Sequence, residues 1–318
     1  MSLHRVRTLI VALALTICAG VLLPPVAAGA STRFEPRVTQ LNGIALGDSY
    51  SAGVGAGTST GGCGRTDQSW AEKAFRSNAY MARSLYLPGD FTQAACGGAT
   101  ISSVTATQLS SITKAHDVAT ITVGGNDIGF APRVVACMVG TCPPKSLGIQ
   151  LESGSWFELR SKLTELYIQI RSRMAQWGHL YVMTYPVFFG VDTQTCAGFT
   201  TAEQAAANAM VTKLDDVIVN AVADANRRLG GFFELVHIVD WRPNPALRIR
   251  NGYTVPVGAP GSGTKFDTFV DRDFGVCNTK GNVPTVSAAT WHPTAQGYFR
   301  AAGRLFTALR FNQPPAIA

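Results

Sequence analysis

The sequence predicts an α/β domain in which a parallel sheet is covered by helices on both faces. Three patterns lead there. Short apolar runs alternate with longer amphipathic ones along most of the chain. The runs at 118–123 and 232–240 are β-branched or almost continuously apolar, as strands buried on both faces are. The long helical stretches open on capping boxes and carry apolar residues at helical spacing.

Taken in order, Ile44-Ala45-Leu46 is a short strand that ends abruptly in Gly47-Asp48-Ser49. Ser69 and Glu72, at capping-box spacing, open an amphipathic stretch reaching Ala82. Residues 91–95 are a short second strand and 118–123 a third. Ser155 and Glu158 open a long helix with Leu159, Leu163, Leu166, Ile170 and Met174 on one face. Glu158 can pair with Lys162 there, and Gly178 lies just past the end. Residues 180–185 are the fourth strand. Thr200 and Glu203 cap another long helix, with Met210, Leu214, Val217 and Ala221 on one face and Gly230-Gly231 as its stop. A fifth strand at 232–240, a long irregular tract at 241–290 and a last helix at 294–309 complete the chain. The 53–68 loop and the 241–290 tract exceed ordinary connection lengths, which makes them candidate walls of a binding site.

Residues 1–30 read as a secretory signal, with Arg5 and Arg7 as a basic start, an apolar run at 9–23 and Ala28-Gly29-Ala30 as a cleavage site. A membrane anchor fits less well, because the run is short and Pro24-Pro25 stops it. The expectation is therefore an exported protein, with residues 31–318 forming a single domain of ample size for one core. Removing Cys18 leaves six cysteines, Cys63, Cys96, Cys137, Cys142, Cys196 and Cys277, which in an exported chain imply disulfides. No Cys/His spacing suits a zinc site. The net charge of +7 is modest, and no basic run interleaved with aromatics suggests nucleic-acid binding.

Ser49 is the most informative residue, since open α/β sheets expose reactive groups beyond their strand ends. A serine needs a base and oxyanion donors, and candidates for both exist. His116, His179 and His237 lie in or beside strands, where packing explains them, whereas His292 sits between Trp291 and Pro293 in a loop opening a helix. Asn126 follows a β-branched strand and two glycines. Asp48 reads as a residue that hydrogen-bonds nearby backbone. Gly57-Thr58-Ser59-Thr60-Gly61 matches the G-x-S-x-G elbow, but glycine-rich loop flanks it where a strand and a helix are needed, so Ser59 reads as a chance match.

The blocks Gly47-Asp48-Ser49-Tyr50-Ser51-Ala52-Gly53, Ala95-Cys96-Gly97-Gly98-Ala99, Val123-Gly124-Gly125-Asn126-Asp127 and Trp291-His292-Pro293, in that order, resemble those of the SGNH (GDSL-type) hydrolases. The likeness is to the secreted actinobacterial lipase/esterase branch. That resemblance implies a three-layer α/β/α sandwich on a flavodoxin-like parallel sheet of about five strands. It implies ester hydrolysis with Ser49 as nucleophile and His292 as base. The oxyanion donors would be the Ser49 and Gly98 backbone N–H groups and the Asn126 amide, with Gly97 the rival to Gly98. It further implies bridges Cys63–Cys96, Cys137–Cys142 and Cys196–Cys277. The substrate would be a lipid or other acyl ester, acted on by a monomer without cofactor, metal, nucleic acid or obligate protein partner. Polysaccharide deacetylation, or a surface-binding role on the same scaffold, are the alternatives. One position departs from the pattern. Many relatives have aspartate three residues before the histidine, where this chain has Ala289. The expectation is that the Ala289 backbone carbonyl orients the imidazole, with Asp271 or Asp273 as the alternative that would complete a triad.

Overall fold

The computed structural model describes residues 39–76, 86–130, 133, 153–186, 200–230, 234–241, 247–250, 253–256, 292–293 and 295–311. All of these lie in one unit, Val38–Ala318. The expected signal segment falls outside the described residues.

Five strands, β1 (Thr39–Gly47), β2 (Tyr86–Gln93), β3 (Val118–Thr122), β4 (His179–Met183) and β5 (Val236–Val239), form one sheet in the order β2-β1-β3-β4-β5. Every pairing is parallel. This is the flavodoxin-like order, and its switch point falls between β1 and β3, so the crevice beyond their carboxyl ends is where a site belongs. The chain crosses from β1 to β2 in one direction along the sheet, then from β3 through β5 in the other. Right-handed crossovers therefore put their helices on opposite faces. Helix α2 (Trp70–Arg76) packs on the last helix, α6 (Ala295–Phe311), while α4 (Ser153–Arg173) packs on α5 (Thr201–Leu229). β3 and β4 are buried along their whole length, as continuous apolar runs require.

Helix α5 begins as the sequence predicts. The Thr200 side chain accepts from the Glu203 N–H, and Glu203 reaches back to the Thr200 N–H at 2.7 Å. Gly230 ends it in the left-handed region at φ 67°. On α4 the predicted face, Leu159 through Met174, is buried, and the exposed Glu158–Lys162 pair forms. Two other helix starts differ. Helix α4 begins at Ser153, so Ser155 lies inside its first turn rather than capping it. At α2 the Ser69 hydroxyl does accept from the Glu72 N–H, at 3.3 Å, but the Glu72 carboxylate pairs with Arg76 and the Ser69 N–H bonds to Thr66. Half of that capping box is made, and the stretch beyond Arg76 lies outside the described residues.

β2 also starts earlier than its apolar residues suggest, taking in Pro88 and Gly89. An edge strand tolerates proline, and the Asn42 side chain accepts from the Asp90 N–H where the register shifts between Leu41 and Gly43. The tract after β5 is not wholly irregular. β6 (Leu247–Arg250) and β7 (Tyr253–Pro256) form an antiparallel hairpin. Asn251-Gly252 between them is the residue pair that most favours a two-residue hairpin turn.

The histidines read as packing residues do pack. His179 Nδ1 and His237 Nε2 lie 2.7 Å apart with their rings stacked, and Tyr181 stacks on His237. One imidazole donates to the other, whose accepting nitrogen must be unprotonated, so the pair does not carry two protonated rings. Burial holds both at about 4, with Arg171 adding to the effect on His179 and His179 to that on His237. Since these values lie below the usual 6.5, the unfolded chain binds more protons between pH 6.5 and 4. The stabilisation is complete above pH 6.5 and is lost as pH falls through 4. Unfolding free energies from urea titrations at pH 7 to 4 should fall more steeply for the wild type than for a His179→Phe/His237→Phe variant, by on the order of 1–3 kcal/mol per imidazole. Equal slopes would show that the two imidazoles titrate in the folded protein as they do in the unfolded chain.

Candidate active site

The site is built where β1 ends. Gly47 adopts φ 112°, and a Cβ there would lie 2.2 Å from the Thr122 carbonyl oxygen, so the close approach of β1 to β3 requires glycine. The next peptide is tied across the switch point: the Asp48 N–H donates to Thr122 O at 2.9 Å, and the Thr122 N–H donates to Ser51 Oγ at 2.8 Å. Asp48 caps the short helix α1 (Ser49–Ala52), accepting from the Tyr50 N–H. This accounts for the structural role read for it in the sequence. Ser49 is the first residue of that helix, half-buried at the edge of the crevice.

His292 arrives from the other end of the chain. Its Nε2 lies 2.7 Å from Ser49 Oγ. Two contacts hold it there. The Tyr50 ring packs against the imidazole at 5.0 Å between centroids. Three residues into α6, the buried Tyr298 hydroxyl donates to Val54 O at 3.0 Å, fastening that helix to the turn after Ser49. Hydrogen-bond contact between a serine hydroxyl and an imidazole is the arrangement that allows the alcohol to be deprotonated as it attacks.

The loops after β2 and β3 close round this pair. The Cys96 N–H donates to Gly47 O at 3.0 Å, and the Gly97 N–H donates to Cys63 O at 2.8 Å. Gly97 is thereby committed, as is the Ala99 N–H to Cys96 O. Gly98 stands between them, exposed, at φ 78°, a conformation glycine adopts freely. After β3, one N–H of the Asn126 amide donates to Ala99 O at 3.0 Å, which restrains the amide plane. Asp127 accepts from the Ile101 N–H with both carboxylate oxygens at 3.1 Å. Two neighbouring side chains of the β3 turn thus clasp the segment that carries Gly98.

Cys63 and Cys96 are joined as a disulfide. Arg65 adds bonds to Ala95 O and Ala94 O, so the loop after Ser49 is stitched to the loop after β2. The other expected bridges, Cys137–Cys142 and Cys196–Cys277, lie outside the described residues, as do Ala289, Asp271 and Asp273. Ser59 is exposed in a loop with neither the preceding strand nor the following helix that a nucleophile elbow needs. Among the described residues no three of His, Cys, Asp and Glu gather as metal ligands would. No helix among them is long and apolar enough to cross a membrane.

Three buried residues that position the site carry weak signals or none. Gln108 brackets Gly47 with its side-chain amide, Oε1 accepting from the Gly47 N–H at 2.7 Å and Nε2 donating to Gly47 O at 2.9 Å. It is delivered by a short helix, α3 (Ile101–Ser103), that runs into a π-helical turn, Val104–Gln108, of a kind enriched at functional sites. No periodicity marks it. Tyr185 lies just past the carboxyl end of β4, where open α/β sheets place their sites. Its hydroxyl donates to Asp48 Oδ2 and accepts from the Gly125 N–H. Tyr298 hides in the apolar face of α6.

A strand-end serine whose hydroxyl lies in hydrogen-bond contact with an imidazole is the arrangement a serine hydrolase uses. The comparisons give the family. Residues 45–300 match the GDSL-like lipase/acylhydrolase family, and the chain belongs to it. A lipase of Streptomyces rimosus is 31% identical over 228 residues, spanning 69% of this chain and 82% of the relative. Lipase 1 of Streptomyces coelicolor is 30% identical over 202 residues, spanning 61% and 71%. Among solved structures, the extracellular lipase of Streptomyces rimosus aligns with a TM-score of 0.58 at 25% identity, covering 85% of this chain and 99% of that one. A phospholipase A1 from Streptomyces albidoflavus aligns with a TM-score of 0.59 at 22% identity over 86% and 100%, a likeness of fold. The protein is a lipase/esterase of this family.

The Cys63–Cys96 bridge closes a loop of sequence separation 33, for which chain entropy gives about 4 kcal/mol. Because the bridge lies at the site rather than under the sheet, mild reduction, or a Cys63→Ser/Cys96→Ser variant, should lose ester turnover before far-UV circular dichroism changes. Simultaneous loss of both would place the bridge in the fold's general stability instead.

Proposed function

We propose that the protein is an exported enzyme that hydrolyses fatty acyl esters through an acyl-serine intermediate. The observation that carries this reading is the 2.7 Å contact between Ser49 Oγ and His292 Nε2. Ser49 Oγ attacks the ester carbonyl carbon as its proton passes to His292 Nε2. Charge on the carbonyl oxygen is met by the backbone N–H groups of Ser49 and Gly98 and by the second N–H of the Asn126 amide. His292 then returns the proton to the leaving alkoxide oxygen, which departs as alcohol. A water molecule, deprotonated by the same imidazole, attacks the acyl carbonyl; the bond to Ser49 Oγ breaks, His292 returns the proton to that oxygen, and the carboxylic acid leaves.

The Ala289 carbonyl is proposed to accept from His292 Nδ1–H and fix the tautomer without adding a formal charge. The enzyme is proposed to act as a monomer, without metal or organic cofactor. Export rests on the basic, apolar and small-residue order of residues 1–30, on the disulfide, and on the extracellular origin of the Streptomyces rimosus relative.

A panel of chromogenic esters of rising acyl length, run on wild type, Ser49→Ala and Ser59→Ala, tests this. Ser49→Ala should lose roughly 10³–10⁶-fold in turnover on every ester, and Ser59→Ala should behave as wild type. Wild-type activity should persist on long acyl chains. Activity confined to acetyl esters would assign a deacetylase instead, and no activity together with no fluorophosphonate labelling would assign a binding protein.

A further inference from the structure

Beyond the Asp48 N–H to Thr122 O bond, the buried Tyr185 hydroxyl adds a side-chain bridge between the nucleophile turn and the turn after β3. On one side it donates to Asp48 Oδ2, the carboxylate that caps the helix beginning at Ser49. On the other it accepts, at 3.0 Å, from the N–H of Gly125, the residue before Asn126. A phenol has one proton to give and can accept one strong bond alongside it, so both of its capacities are used.

Its placement is over-determined. The Tyr185 N–H donates to Asp215 Oδ1 at 2.9 Å, from the buried face of α5. The edge of the Tyr185 ring meets the Tyr50 ring at 5.0 Å, and Tyr50 in turn packs on His292. A Cβ on Gly125 would come within 3.3 Å of the phenol ring, so the β3 turn lies directly against it. Burial pushes the Tyr185 phenol well above its ordinary range, so the hydroxyl keeps its proton.

We infer that Tyr185 is a positioning residue for ester hydrolysis: through one hydroxyl it sets the spacing between the Ser49 nucleophile, by way of Asp48, and the Asn126 oxyanion donor, by way of Gly125. The physical reason is geometric. The nucleophile and the amide stand on turns from different strands, β1 and β3, and the oxyanion must be met at about 3 Å from both. A donor–acceptor bridge of fixed length holds that separation while the carbonyl carbon passes from planar to tetrahedral. Displacement by about 1 Å lowers turnover on the order of 10²-fold without weakening ground-state binding. The inference rests on the catalytic roles proposed above for Ser49 and Asn126.

The test compares wild type, Ser49→Ala, Asn126→Ala, Tyr185→Phe and the Tyr185→Phe/Asn126→Ala pair. It measures kcat and KM on a soluble chromogenic ester, at a temperature where circular dichroism shows each variant folded. Tyr185→Phe should lower kcat about 10–100-fold with KM changed less than about 3-fold. In the Asn126→Ala background the same change should lower kcat less than about 3-fold, because the donor it positions has gone. Should Tyr185→Phe fail to fold, Asp48→Asn takes its place. Its amide would donate where the carboxylate accepts, turning the hydroxyl from the bridge, and it should show the same kcat loss and the same non-additivity. Tyr185→Phe with full kcat per folded molecule, or fully multiplicative losses in the pair, would overturn the inference and leave a residue that only stabilises. Full activity in Ser49→Ala would instead overturn the functional reading beneath it.

Discussion

The conformation of one peptide, where β1 gives way to the nucleophile helix, governs this site. Gly47 turns at a positive φ against Thr122, and its N–H and C=O are bracketed by Gln108 while Cys96 also donates to the carbonyl. These bonds form in a buried setting, where each unpaired group would be destabilising by about 1–3 kcal/mol. The peptide therefore has one arrangement. Everything downstream inherits it: the direction of α1, the height of Ser49 above the sheet, and the point that His292 must reach.

Reach is the second constraint. Ser49 and His292 are separated by 243 positions, so nothing local can hold them together. The fold solves this by packing α6 against α2 and by fastening Tyr298 to Val54, within the turn that follows Ser49. The imidazole then sits on a rigid support on one side and against Tyr50 on the other. The segment carrying Gly98, the proposed oxyanion side, is held separately, by the disulfide, Arg65, Asn126 and Asp127. Proton transfer and charge stabilisation are thus held by different bonds, and the Tyr185 hydroxyl is where the nucleophile and oxyanion elements meet.

Much of the fold is legible along the chain because its signals are local. Thr200, Glu203 and Gly230 mark both ends of α5, and the β-branched run at 118–123 marks β3, since caps and apolar periods act over a few residues. The misreadings came where tertiary bonds override such signals. β2 keeps Pro88 and Gly89 because an edge strand leaves one side unpaired, and Glu72 leaves its capping box for Arg76. β6 and β7 stand where an irregular tract is expected, because four-residue strands are too short to show a period.

By itself the sequence determined the kinds of chemistry present. A strand-end serine, a loop histidine and a glycine-flanked asparagine are identifiable from residue type and neighbours, because side-chain chemistry belongs to single residues, whereas the choice of Gly98 over Gly97 is favoured by the backbone bonds around them. Only the tertiary structure decided which residues support them. Gln108, Tyr185 and Tyr298 are ordinary in their own segments and take their roles from partners 61, 137 and 244 positions away. A hydrogen bond is a property of two groups at one distance and angle, and for partners so far apart that distance exists only after the sheet and its helices have packed.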